Sequence, residues 1–408
     1  MLAAPLLLAG LPLVAAPASD DPDLVILKDG KEVPCRILYE DEQWVVYRDG
    51  RRTREVPREE VAEVQSIERS LRQFLEKFET LDTTDVGRLT DLALFAEGSF
   101  LPGEARHTWI RILTLDPQNE RAWTKLGGVK GRKGWQLKVR GRYYTLDELR
   151  ERASDWKNAM HVPTAHFLIK TDVEPERALD VAIDVERIYL AYYDLLGPEL
   201  RLFPFDDVPE IHVFRDADDY PSPPAPGWGA WYARNPNEVY VDASGDISVG
   251  EVRVNVGYCL LFNSFRRSLD VRTGELPAWA REGLAQGLAL AVRGERGSLR
   301  LEVGVPHEAT FARHARDGEA LSLERLLGAG KAAFDAGTHG ERHFVQAYTL
   351  TFFLVNAEGG KYRSGFADFL RGAFAGKGSS THLERALGVD VEDLEQEWIA
   401  YVRAQAGL

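Results

Sequence analysis

The sequence predicts a multi-domain α+β protein: a small β barrel, a short helical segment, then a larger α+β domain with a mostly helical C-terminal lobe. Three observations carry this expectation. Apolar residues recur at every second position between about 24 and 67, the period turns helical from Ser70, and beyond about residue 161 strand-like runs alternate with long amphipathic stretches. With 408 residues, 44% of them hydrophobic and 10% aromatic, the chain is long enough for several packed cores. The expected units are a signal peptide over 1–19, a small β domain over 20–67, a helical segment over 68–130, a hairpin and linker helix over 131–160, and an α+β domain over 161–408.

The first twenty residues, MLAAPLLLAGLPLVAAPASD, carry no charged side chain before Asp20. The apolar run has the length of a signal-peptide core and is too short to span a bilayer, and Ala16-Pro17-Ala18 offers a small-x-small cleavage site. Export to the periplasm, the cell envelope or the medium is therefore expected, with no transmembrane span in the mature chain. The β unit comes next. Asp29-Gly30 and Asp49-Gly50 separate β-branched and aromatic runs and read as hairpin turns. This stretch resembles the SH3-like barrels found after the signal peptide in many exported bacterial proteins, modules that act more often as adaptors than as catalysts.

In the helical segment, Leu71, Phe74, Leu75 and Phe78 fall on one face, and further helices are expected over about 86–97 and 103–115. In LTLDPQNERAWTKLG, Asp116-Pro117 ends one helix and Asn119 can cap the next, whose Ala122, Trp123 and Leu126 point inward. The junction resembles the boundary between two tetratricopeptide repeats, too few to bury a solenoid core unaided. The adjoining basic, Gly-rich stretch predicts a hairpin around Trp135 and a linking helix ending near 158.

Beyond 161, HFLIKTD, PEIHVFRD and NEVYVDAS read as strands and PERALDVAIDVERIYLAYYDLLG as a long amphipathic helix. The proline-rich PSPPAPGWGAWYARNP, with Trp228 and Trp231, reads as a loop crossing a sheet edge. After Gly250 the pattern is mainly helical, with one strand-like interval near 298–304.

A net charge of −14 repels phosphate backbones and anionic lipid heads, so nucleic-acid and membrane-surface partners are disfavoured. Cys35 and Cys259 lie far apart in sequence, form no C-x-x-C motif, and read as two free buried thiols. No P-loop, G-x-S-x-G elbow or dinucleotide fingerprint is present.

The most informative segment is ELPAWAREGLAQGLAL, where Trp279, Glu282, Gly283 and Ala285 sit at the spacing W-x-x-E-G-x-A. This resembles the signature of gluzincin-type metallopeptidases, of the peptidase MA-like zincin group. The resemblance implies a zincin-like fold in which Glu282 is the third zinc ligand. Two histidines from an H-E-x-x-H helix some 20–25 residues upstream would supply the others, with the motif's Glu activating the metal-bound water. Upstream, VRVNVGYCLLFNSF has the shape of that helix, and Leu261 with Phe262-Asn263 sets the register. Asn255 then stands for the first His, Val256 for the base and Cys259 for the second His. An amide oxygen is a poor zinc ligand, and a valine cannot take a proton. Locally, EVRVNVGY alternates like a strand, but the downstream spacing favours a helix.

A relocated site is conceivable. His339 and His343 stand at i, i+4 before FVQAYTLTFFLV, a helix that the resemblance places near the cleft with Tyr348 as its cleft-lining tyrosine. His307-Glu308 fails as half a zinc motif because Phe311 stands where the second His belongs. The remaining histidines (107, 161, 166, 212, 314, 382) show no ligand spacing and read as surface or core residues. The resemblance covers about 240 residues and implies a catalytically inactive metallopeptidase-like protein, with no cofactor and a binding or scaffolding role. The alternatives are an active zinc-dependent peptidase using Glu282 with His339 and His343, and a purely structural envelope protein.

Overall fold

The computed structural model describes residues 23–40, 42–50, 52–200, 208–223, 229–245, 249–268, 276–291, 305–334 and 340–406. The expected signal peptide, Trp228, the strand-like interval near 298–304 and His339 lie outside them. The architecture is mixed α and β, with three sheets among the described residues. Two compact units divide the chain, one of residues 1–190 with 206–252 and one of 191–205 with 253–408.

The first unit opens with β1 (Asp23–Leu27), β2 (Glu32–Glu40), β3 (Trp44–Asp49), β4 (Arg52–Pro57) and β5 (Val61–Gln65). Gly30 (φ 84°) and Gly50 (φ 59°) sit in the two expected hairpin turns. The strand order β4-β3-β2-β1-β5 makes an antiparallel sheet with β4 and β5 at its edges. The expected barrel is thus not closed. Alternation still buries one face, where Val25, Cys35, Val45, Tyr47 and Val64 form the core. Asp23 ties this sheet to the start of the first helix: its buried carboxylate accepts hydrogen bonds from the Ile37 amide at 2.7 Å and the Ile67 amide at 2.9 Å.

Helices α1 (Ile67–Glu79), α2 (Val86–Gly98), α3 (Pro102–Leu115) and α4 (Glu120–Lys125) come next. Three of their starts obey capping chemistry: Ser66, Asp85 and Asn119 each accept from backbone amides of the first turn. A three-stranded meander, β6 (Val129–Gly131), β7 (Gly134–Val139) and β8 (Arg142–Tyr144), shares its core with α2–α4, where Trp123 stacks on Trp135 at 6.1 Å. Helix α5 (Leu146–Ala153) begins with a capping box between Thr145 and Glu148.

The third sheet consists of β9 (Met160–Pro163), β10 (Leu168–Thr171), β11 (Glu210–Phe214), β12 (Ala230–Ala233) and β13 (Glu238–Asp242), in the order β12-β13-β11-β10-β9, with α6 (Pro175–Leu200) between β10 and β11 in sequence. Strands β10, β11 and β13 are parallel and the two edges antiparallel. Ile169, Ile211, Val213, Val239 and Val241 are buried on one face. The opposite face carries the cross-strand row Trp231–Tyr240–His212–Lys170–His161. The proline-rich segment does not simply cross the sheet edge: its Ala230–Ala233 is the edge strand.

In the second unit every described element is helical. Helix α7 (Val249–Ser268) leads into α8 (Ala278–Ala291), α9 (Val305–Arg316), α10 (Leu323–Leu327), α11 (Lys331–Phe334), α12 (Gly340–Asn356), α13 (Arg363–Phe374), α14 (Ser380–Leu387) and α15 (Val391–Gln405). The centre is α12, which packs against α8, α9, α10, α11, α13 and α15. Val345, Ala347, Tyr348, Leu350, Phe352, Phe353 and Leu354 are all buried, the all-round apolar surface of a core helix. No described helix is long and apolar enough to cross a membrane.

Candidate functional site

The segment that alternates locally like a strand is helical. In α7, Val254, Tyr258 and Phe262 are the partly exposed positions of 252–263 and recur every four residues, while the remainder are buried. Burial on nearly all sides outweighs the β preference of three valines, a tertiary override of a propensity difference of order 0.5 kcal/mol per residue. The three degenerate positions therefore share this helix. Val256 is fully buried, Cys259 is fully buried, and Asn255 is 8% exposed.

None of the three has the chemistry that the resemblance would require at its position. Val256 has no proton acceptor. Burial pushes the Cys259 thiol up to about 12, although a hydrogen bond from Asn263 opposes this, so the sulfur stays protonated at neutral pH. A thiol this reluctant to ionise is a poor metal ligand, because binding must first displace its proton.

Glu282, in the first turns of α8, is 6% exposed. Both of its oxygens are engaged. The Arg281 guanidinium donates to Oε1 from Nε at 3.0 Å and from Nη2 at 2.7 Å, and the Tyr258 hydroxyl donates to Oε2. The carboxylate is charge-paired with Arg281 and hydrogen-bonded by Tyr258. A donor set of one amide, one valine, one protonated thiol and one occupied carboxylate does not fit a catalytic zinc, which takes three good protein ligands.

The other signature residues have packing roles. A Cβ on Gly283 would lie 2.2 Å from Thr351 Oγ1 and 2.3 Å from the Ala347 carbonyl oxygen, so α8 and α12 approach more closely there than any side chain allows. A Cβ on Gly257 would meet the Ala285 Cα at 3.2 Å, which accounts for a small residue at each of those two positions. Trp279 is 1% exposed and stacks on Phe366 and Phe369, with ring centroids 6.1 and 5.6 Å away. W-x-x-E-G-x-A is satisfied here as a helix-packing motif.

Of the relocated ligand set, His343 lies beside Phe334, ring centroids 5.2 Å apart, and His339 falls outside the described residues. Tyr348 is 1% exposed and packs against Phe352. Among the described residues, one group of three His, Cys, Asp or Glu side chains has its ligating atoms within 4.8 Å of one another, and it is elsewhere: Glu210, His212 and Glu238.

Sequence spacing does not reveal that group, since His212 has no second ligand at a helical interval. Glu210 and His212 share a face of β11 because they are two residues apart, and Glu238 is brought beside them by the β11–β13 register. The available signal is E-x-H in an alternating strand; the third member depends on topology. His212 Nε2 lies 3.0 Å from Glu210 Oε2 and Nδ1 lies 3.8 Å from Glu238 Oε2, while the Tyr240 hydroxyl donates to Glu238. The imidazole lies between two carboxylates that stand directly opposite each other on neighbouring strands. Carboxylate and imidazole suit divalent metals, but these atoms are paired among themselves, and Lys170 sits opposite His212 on the next strand.

A second buried cluster centres on His166. Its Nδ1 is 2.8 Å from Glu186 Oε2, and its amide donates to Glu186 Oε1 at 2.8 Å. Tyr189 stacks on the imidazole at 3.5 Å and donates to Glu68 at 3.2 Å. Glu104, 3% exposed, accepts from the Ala165 amide at 2.9 Å. Burial, then the charge of Glu186, pushes Glu104 up to about 7. Burial works to lower His166, but the surrounding carboxylates, Glu186 first, raise it overall. His107, buried nearby on α3, is pushed down to about 3 by burial and stays neutral. These groups come from α1, α3, α6 and the β9–β10 turn, so the cluster joins elements of one unit.

A scan against protein-family models finds no match to the chain, and a search of curated proteins finds none either.

Proposed function

We propose that the protein is a catalytically inactive, metallopeptidase-like protein of the cell envelope that binds or scaffolds a peptide or protein partner. On this reading the chain carries an SH3-like β unit, a tetratricopeptide-like helical segment and a gluzincin-like domain of zincin ancestry whose zinc chemistry has been replaced by packing. One observation carries it: the Glu282 carboxylate, the retained third-ligand position, is saturated by Arg281 and Tyr258. The buried Val256 and the protonated Cys259 support it, since neither a base nor a second ligand stands where the resemblance requires one.

The test is incubation of the full chain, immobilised, with a random peptide library, and then mass spectrometry of bound and unbound fractions. Enrichment of a peptide class with all peptides recovered intact is expected. Peptide cleavage that stops on adding a chelator would sink the proposal, and the absence of enrichment would leave a purely structural role.

A further inference from the structure

The β9–β10 turn is held to its surroundings by ionisable side chains rather than by a backbone ladder. Thr164 and Phe167 close the turn on itself: the Thr164 amide donates to the Phe167 carbonyl and the Phe167 amide to Thr164 Oγ1, each at 2.9 Å. The two amides between them are taken by carboxylates of two different helices. Glu104 of α3 accepts from the Ala165 amide, and Glu186 of α6 bonds both the His166 amide and its ring Nδ1. His107, three residues on from Glu104, bonds the Pro163 backbone. A Cβ on Gly103 would lie 2.5 Å from the Pro163 carbonyl oxygen, so α3 meets the end of β9 with no room for a side chain.

These contacts gather more acid than base. Glu104 and Glu186 are 3% and 1% exposed, and Glu68 of α1 and Asp23 of β1 lie close enough to act on His166 through their charge. With every carboxyl ionised, four negative charges would face one imidazolium. The nearby cations serve other groups: Arg72 lies beside Glu68 and Arg36 beside Asp23. Arg106 and Arg111 lie beside His107, Arg111 pairs with Asp180, and Arg187 pairs with Glu79 and Asp184. Glu104 Oε2 is buried and has no hydrogen-bond partner among the described residues. A bare carboxylate oxygen costs far more there than a neutral carboxyl, so the surroundings favour a proton on Glu104.

We propose that this cluster is a proton-operated latch: protonated, it docks residues 163–167 on α3 and α6, and deprotonation releases the turn, together with β9, while the rest of the unit stays folded. Strand β9 is an antiparallel edge bonded on one side only, so its release leaves the parallel strands β10, β11 and β13 paired. Docking raises Glu104 above its ordinary 4.5, to about 7, through burial and then the charge of Glu186. The docked turn is therefore fully favoured below about pH 4.5 and weakens as pH rises toward 7. His166, raised from 6.5 by the same carboxylates, weakens it further above that pH.

The test is hydrogen–deuterium exchange of the full chain, followed by mass spectrometry, between about pH 4.5 and 8, with each rate divided by the intrinsic rate at that pH. Protection of peptides covering 160–168 should fall about tenfold from pH 4.5 to 6.5, and further above it, while that of β3 stays level. Glu104→Gln, a mimic of the protonated acid, should keep its protection level up to about pH 6.5 and show only the later fall due to His166. Should circular dichroism show that this variant does not fold, the parent profile decides alone. The proposal is overturned by protection of 160–168 that does not change with pH in the parent, or by an equal fall below pH 6.5 in folded Glu104→Gln. A parallel fall in β3 also overturns it, because the whole unit and not the turn would then be opening.

Discussion

Arg281, Glu282 and Tyr258 form a charge-assisted set between α7 and α8, and their worth can be measured one group at a time. Tyr258→Phe removes one donor to a buried carboxylate and should destabilise the chain by about 1–3 kcal/mol, the range for leaving a buried charged acceptor short of a partner. Denaturant unfolding would show this, and an unchanged midpoint would mean that the hydroxyl bond contributes nothing. The buried cluster around His166 gives a test of a different kind. Glu104 holds its proton to about 7 when folded against an ordinary 4.5, so the folded state binds the proton more tightly. Its contribution is complete below about pH 4.5 and is lost as pH rises toward 7; the raised His166, stabilising below its ordinary 6.5, acts in the same direction. Glu104→Gln, a mimic of the protonated acid, should therefore gain stability relative to the parent between about pH 5 and 8, by up to roughly 3 kcal/mol. A difference constant across that range would show that the carboxyl does not titrate there. Arg72 beside Glu68, Arg36 beside Asp23, and the neutral His107 with Arg106 and Arg111 beside it also belong to the ionisable surroundings of this cluster.

At the scale of elements, the close approaches of α8 decide what its sequence can tolerate. Gly283→Ala places a methyl against a carbonyl on α12, which cannot move without displacing the helix, and should cost about 2 kcal/mol or more. Gly257→Ala meets Ala285 at 3.2 Å, and the strain there is countered by the roughly 1 kcal/mol that Ala gains over Gly in a helix, so its thermal midpoint should move little. A larger loss for Gly257→Ala than for Gly283→Ala would reverse this ranking. Elements with strong local signals were legible: the Asp-Gly turns, the Asn119 cap, the amphipathic α1 and the alternating β11 and β13 all arise from period and capping chemistry. Elements that depend on distant partners were not. The four-residue β12 lies in a proline-rich stretch that offers no period to read, and it exists because β13 supplies its hydrogen bonds. Sheet closure in the N-terminal β unit likewise depends on whether β4 reaches β5, which alternation within a strand does not encode.

For the molecule as a whole, each unit has its own buried core, and site residues were legible in sequence only where they lie close together along the chain. Asn255, Val256 and Cys259 are placed on one helix by the register of the resemblance and the spacing downstream, against a local alternation that reads as a strand. The saturation of Glu282 was not legible, because Tyr258 reaches it across a helix crossing, 24 residues away in sequence. The Glu210–His212–Glu238 group and the His166 cluster were illegible for the same reason, being assembled by register and by packing of separate elements. On the proposed reading, the helices of a zinc site persist here as packing, with Arg281 and Tyr258 occupying the carboxylate that a metal would need. The most direct test is elemental analysis of the full chain, expressed without a histidine tag and dialysed against micromolar zinc. Zinc far below one equivalent, unchanged in Glu282→Ala, is the expected result. One equivalent of zinc in the parent protein, lost in Glu282→Ala, would contradict it.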